Sequence, residues 1–194
     1  MRLLAFFKQI PEFNQLNLDD KMILIKYNLM SLVILNCALS FNVNTQQILE
    51  VDTDFPWNSS ILQSVHGEQI HSQVARVFEP LVRVAKHDQK IIHLLLIVLI
   101  LTKGLSTGNG VPEPVLMDSM AVYKAQNLYT ELLWKYLQTI YGYEQAFHIF
   151  TNLITRFLTW QLLEKKLRDN IEQTYAGPAD LELSPLMRAL FHTY

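Results

Sequence analysis

Two lysines, Lys8 and Lys26, bracket an apolar, turn-punctuated segment that reads FFKQIPEFNQLNLDDKMILIK from residue 6 to residue 26. The last carbonyls of a helix have no partner within that helix, and an ammonium group at the rim of a groove can supply the missing donor. The chemistry on offer is therefore recognition of a partner helix. Catalytic chemistry has little to stand on. Six histidines occur, at 66, 71, 87, 93, 148 and 192; His66 and His71 are five apart, off a common metal-binding helical face. No HExxH, glycine-rich phosphate loop or serine elbow is present. Asp52 and Asp54 form a carboxylate pair, but aspartates between Val51 and Pro56 are accounted for by turn chemistry. The chain reads as a receptor for peptides and not an enzyme, with no metal and no cofactor.

The elements that must hold these residues are helical. Met1 to Ile10 has helical character and is expected to stop at Pro11; Asp19 and Asp20 lie in the first turn of a helix running to about Phe41, where carboxylates favour the positive end of the dipole. Gln47 to Ser60 is different, with β-type and turn residues that predict a short strand or hairpin. Ile61 to about His87 reads as two helical patterns interrupted near Gly67 and Pro80. An apolar helix follows from Asp88 to Lys103, ended by Gly104. Gly104 to Pro114 is a loop, and two long amphipathic helices, Val115 to Tyr141 and Tyr143 to about Tyr175, are divided at Gly142. Pro185 to Phe191 can form two further turns with Ser184 as N-cap. The expectation is an all-α domain of seven or eight helices with one small β-turn.

Composition bounds the partners. The 194 residues suit one domain with a sizeable core, half of them apolar. Sixteen basic against eighteen acidic residues give a net charge of -2, which argues against a nucleic-acid surface on this chain. Any contact with DNA falls to a separate module. The single cysteine, Cys37, excludes an intrachain disulfide and fits a reducing compartment. Ile91 to Leu101 is too short to span a bilayer, and Met22 to Phe41 carries Lys26, Asn28, Ser31 and Asn36, so both read as buried core helices and not membrane spans.

Residues Phe6-Phe7-Lys8-Gln9-Ile10-Pro11-Glu12-Phe13, then Leu16, Asp19-Asp20 and Leu24-Ile25-Lys26, resemble the signature of the nuclear receptor ligand-binding domain across its third to fifth helices. The flavour is that of retinoid-X and peroxisome-proliferator receptors. Looser likeness continues through Asp88 to Leu105, resembling the eighth helix, and through Tyr123, Gln126, Tyr129, Leu133 and Tyr136, resembling the ninth. The resemblance implies a layered helical sandwich covering residues 1–194, beginning within the third helix and lacking the first. It also implies a nuclear location, coactivator or corepressor peptides as partners, and a homodimer or a heterodimer with a retinoid-X-type receptor.

The same resemblance assigns residues. The coregulator groove takes Leu4, Phe13 and Met22 as apolar floor with Lys8 and Lys26 at the rim; Leu4 and Lys8, one turn apart, share a face. A terminal activation helix, about 184–192, supplies Leu186, Met187, Ala189 and Leu190. In the family a glutamate there caps the partner helix, and here Ala189 stands in its place. Loss of such a charge-assisted bond, roughly 1.5 to 3 kcal/mol, weakens coactivator binding by about ten- to a hundredfold. The expectation is weak activation or a bias toward corepressors, with Glu182 four residues before the apolar positions.

Other positions depart from the family as well. Retinoid receptors pair a basic residue near the end of the fifth helix with a ligand carboxylate, and Ser40 occupies that position. Met30, Val33 and Cys37 at helical spacing, with Phe55 and Trp57 from the β-turn, would form an apolar wall for a neutral, small lipophilic ligand. The alternative is a filled, ligandless interior, with methionine and aromatics as core, in a ligand-independent adaptor or orphan domain. A structural glutamate and arginine of the family are replaced by Lys90 and Thr151, and a glutamine by Lys21. On the last long helix, Phe157, Trp160, Leu163 and Leu167 recur at three and four residues and are assigned to the dimer face.

Overall fold

Pro11 starts one helix as it ends another. A computed structural model of the chain describes residues 3–42, 44, 47–48, 57–103 and 115–175, with side chains for 3–42, 44, 68–103 and 115–167. Helix α1 covers Leu3–Phe7 and closes with bonds from the amides of Gln9 and Ile10 to the carbonyls of Phe6 and Phe7. Pro11 restricts the residue before it, so Ile10 is extended (φ -88°, ψ 110°), and the helix stops short of the predicted Ile10. Proline then occupies the first position of α2, Pro11–Gln15, where its missing N–H costs nothing.

Helix α3, Leu18–Ser40, starts at an Asn17 cap whose side-chain oxygen accepts from the Asp20 amide at 2.8 Å. It leads into a three-stranded antiparallel sheet of two-residue strands: β1 Phe41–Asn42, β2 Gln47–Ile48 and β3 Trp57–Asn58, in that order. Phe41 lies opposite Ile48, and Ile48 opposite Trp57. The predicted hairpin is thus present as a minimal sheet, anchored by the Phe41 ring edge-on to Phe78 at 5.3 Å.

Helix α4 spans Ser59–His87 without a break, so the interruptions expected near Gly67 and Pro80 do not occur. A proline inside a helix removes the donor for the carbonyl four residues earlier, here that of Arg76. Arg156, from the last helix, points its guanidinium at that carbonyl, Nη1 to O at 3.5 Å. A tertiary contact offers a replacement donor, and the helix runs on.

Helix α5, Gln89–Ile100, is capped by Asp88, which accepts from the Lys90 amide at 3.0 Å, and its residues from Leu95 to Ile100 are all buried. Helix α6 covers Ser119–Tyr141 with Asp118 as cap, and α7 covers Tyr143–Tyr175. Gly142 between them has φ +75°, a left-handed conformation that strains any residue with a Cβ. That break was legible in the sequence.

Helices α3 and α5 pack side by side, α4 lies against both, α6 covers α5, and α7 contacts α3, α4 and α6. One apolar cluster runs through them from Phe7 to Leu167. The architecture is all-α, with seven helices and one small sheet among the described residues. Helix α3 is long and apolar enough to cross a membrane by length and composition alone. Its apolar faces are instead packed against α4, α5 and α7, and its buried Asp20, Asn28 and Ser31 are hydrogen-bonded within the protein.

A helix-interior proline costs about 3 kcal/mol in the absence of compensation. Pro80→Ala is expected to raise the melting temperature. Arg156→Met should destabilise the protein in the native background by about 0.5–1 kcal/mol and have a smaller effect in Pro80→Ala, because the Arg76 carbonyl then has its own helical partner. Thermal denaturation of the four proteins in this cycle measures the coupling.

Candidate functional site

Rotation of α3 about its axis is fixed at its first turn. Asp20 is fully buried, and its carboxylate accepts from the Met117 amide (2.7 Å), the Asp118 amide (3.0 Å) and the Asn17 side-chain nitrogen (2.8 Å). Residues two positions away lie about 200° round a helix. Burying Asp20 therefore turns Leu18 and Met22 outward, and they are 72% and 59% exposed. Lys26 continues their spacing of four and is exposed as well. On α1 the buried residue is Phe7, whose ring meets that of Phe13 at a tilt, 5.9 Å between ring centres, which leaves Leu4 60% exposed and Lys8 in solvent one turn on.

The two helices are joined through α2. The Asn14 side-chain amide donates to the Lys8 carbonyl, and Lys21 Nζ donates to the Asn14 carbonyl at 2.7 Å. The result is a hydrogen-bonded row from the end of α1 to the first turn of α3. Lys21 thus has a structural task. Leu4, Met22, Lys8 and Lys26 all lie at the surface. Phe13 does not: at 5% exposure it is core beneath the site and not contact surface, because its ring is needed to hold α1 through Phe7. Leu18, the most exposed of these apolar residues, was missed, although its spacing of four from Met22 could have revealed it.

Further tethers come from α5 and α6. Tyr129 donates its hydroxyl to Glu12 on α2, and burial together with the Glu12 bond and charge pushes its phenol up to about 12. Asn28 donates to the Thr102 carbonyl at 2.7 Å, and Gln126 donates to the Thr102 hydroxyl at 2.7 Å, linking α3, the exit of α5 and α6. Tyr136 donates to Asp88 at 2.6 Å. That bond, with burial and the Asp88 charge, pushes Tyr136 up to about 12. The Asp88–Tyr136 pair fastens the start of α5; Lys90 lies 6.0 Å from the Tyr136 ring centre, and Thr151 is exposed.

Of the expected ligand-wall residues, Met30, Val33 and Cys37 have described side chains. Cys37 is buried and Met30 half-buried, but Val33 is 38% exposed, since α3 presents this side to the surface between its packed faces. Trp57 pairs with Ile48 through its backbone; Phe55 lies outside the described residues, as do Glu182 and the terminal-helix residues Leu186, Met187, Ala189 and Leu190. Ser40 donates to the Asn36 carbonyl at 3.4 Å. The void beside α3, bounded by Ser31, Leu35, Leu81, Leu95 and Trp160 among others, measures about 10 Å³, room for one water. Ser31 donates to the buried Glu164 at 3.0 Å at that interface. An open hollow of about 570 Å³ on α4, lined by Glu68, Gln69, Ser72, Gln73 and Arg76, is too polar for a lipophilic guest.

The residues expected on a dimer face lie inward. Trp160, Leu163 and Leu167 are buried in the core and Phe157 is packed against it, leaving Leu158 and Leu162 as the outward apolar pair. The stripe with the larger aromatics turned inward because it buries more area. Among the described residues no three His, Cys, Asp or Glu side chains converge as a metal site.

No protein-family model matches the chain, and no curated protein matches it.

Burial raises the Asp20 carboxyl, but its bonds from Asp118, Met117 and Asn17 outweigh burial and hold it below the ordinary value. A carboxyl whose folded pKa is depressed stabilises fully above its unfolded pKa, about 3.9, and loses that stabilisation as pH falls through the folded value. Asp20→Asn turns a donor toward at least one amide and should cost about 1–3 kcal/mol at pH 7. The gap between native and variant should shrink below about pH 4, read by urea denaturation across pH.

Proposed function

We propose that this chain is a ligand-binding domain of the nuclear receptor type that recruits leucine-rich coregulator helices to the surface formed by α1, α2 and the first turns of α3. The observation that carries this reading is the pair of stripes Leu4–Lys8 and Leu18–Met22–Lys26, each apolar and each ending in an exposed lysine. Burying one such apolar side chain is worth about 1.5–3 kcal/mol, so three exposed on one site favour a partner that covers them. The lysines select the chemistry of that partner. An amphipathic helix offers leucines at three- and four-residue spacing and, at its C-terminus, carbonyls that accept from an ammonium. The residue string from Phe6 to Lys26 and the all-α architecture agree with this reading.

Ala189 replaces the acceptor that would cap the other end of the partner helix, which favours weak coactivator recruitment or a corepressor. On this reading the protein acts in the nucleus, contacts DNA through a separate module, and uses Leu158 and Leu162 in any dimer with itself or a retinoid-X-type receptor. A second reading, a domain that works without a ligand, is favoured by the small volume, about 10 Å³, of the void beside α3 among the described residues.

Fluorescence polarisation with labelled coactivator and corepressor helices tests the groove. Saturable binding, at least as tight for the corepressor, should weaken about tenfold or more in Lys8→Ala, as loss of a charged hydrogen bond requires. Binding that Lys8→Ala leaves unchanged, or no binding of either helix, would overturn the proposal. Native mass spectrometry of the purified chain decides between the two readings of the interior: the bare chain mass supports a filled core, and a co-purifying lipid contradicts it.

A further inference from the structure

Helix α2 has five residues, far below the length at which a helix holds itself together in water. Its position is set by what its side chains grip. Phe13 enters the core against Phe7. The Asn14 bonds, to the Lys8 carbonyl and from Lys21, are exposed and compete with water. Among the described residues, the remaining polar tether is the bond from Tyr129 on α6 to Glu12, which is partly buried and charge-assisted, the stronger class of hydrogen bond.

We propose that the Tyr129–Glu12 pair is a latch that positions the coregulator site, holding α2 so that Lys8 on α1 and the Leu18–Met22 stripe on α3 keep their mutual register. Neither latch residue need touch the partner helix. Asn14 transmits the constraint: two residues from Glu12 on the same short helix, it joins the Lys8 carbonyl to Lys21, the neighbour of Met22. A shift of α2 therefore moves the two lysine-ended stripes relative to each other, and a binding site whose supporting contacts are loosened loses affinity without losing a contact residue. The inference rests on the proposed groove and adds to it a control point on α6.

The test uses four latch variants and one control. Tyr129→Phe and Glu12→Ala should each weaken binding of a leucine-rich coregulator helix by about three- to tenfold, and the double variant by no more than either alone. Glu12→Gln, which keeps an acceptor oxygen, should recover most of the affinity. Tyr136→Phe breaks a bond of the same type on the same helix, but one that ends at the α5 cap. It should lower the melting temperature comparably and leave affinity unchanged. Unchanged affinity in Tyr129→Phe, or an equal loss in Tyr136→Phe, would overturn the latch. If the unaltered chain takes up no helix, the groove reading fails, and hydrogen exchange judges the latch alone. Amides of residues 12 to 16 should then exchange several-fold faster in Tyr129→Phe than in Tyr136→Phe, and equal protection in the two would overturn the latch.

Discussion

A carboxylate with no access to water must have its hydrogen-bonding capacity met, and the way Asp20 meets it organises this fold. Its acceptors are taken by its own cap residue and by two amides 97 and 98 residues further along, so one side chain joins the start of α3 to the start of α6. Three consequences follow from that placement. Helix α3 cannot rotate, and Leu24, one turn on from Asp20, is driven fully inside. Leu18 and Met22, on the far side, are driven out. Helix α6 is brought in at the level that lets Tyr129 reach Glu12 and Gln126 reach Thr102. The surface that would receive a partner is thus a by-product of where an anion is buried.

Apolar packing alone would leave this arrangement underdetermined. Helices α3 and α5 are apolar on most of their faces, and such cylinders can slide or turn against one another at small cost in buried area. The polar contacts supply direction: Asn28 to Thr102, Tyr136 to Asp88 and Ser31 to Glu164 each require a single register. Breaking one would leave a buried group unsatisfied, so misregistered packings are penalised even where their apolar contacts are adequate. The same logic explains how α4 survives Pro80, with a tertiary donor standing near the orphaned carbonyl.

Much of the element order was legible because period and punctuation are local. Gly142 and the cap at Asp88 divide the chain where the sequence indicates, whereas α6 starts at Ser119 behind its Asp118 cap, four residues after the expected Val115. Asp20 was readable only as a carboxylate favouring a helix dipole, because nothing local encodes amides nearly a hundred residues away. Pro80 misled for the same reason, its compensation lying on α7. The stripe of Phe157, Trp160, Leu163 and Leu167 was seen correctly as apolar, yet α7 carries a second apolar pair at Leu158 and Leu162, and the pattern alone does not say which faces inward. Phe13 and Val33 exchanged expected roles, surface for core and wall for exterior, since exposure depends on neighbouring helices. The exposure of Lys8, Lys26 and their apolar neighbours followed most directly from the sequence, being set by short spacings on α1 and α3.

The central claim concerns where a partner helix sits. Amide chemical-shift mapping of the isotope-labelled chain, titrated with a leucine-rich coregulator helix, addresses it directly. The account predicts saturable changes concentrated in residues 4 to 8 and 18 to 26, with smaller ones in α2. Changes centred instead on the outward residues of α6 and α7, around Leu128, Leu132, Leu158 and Leu162, would contradict it.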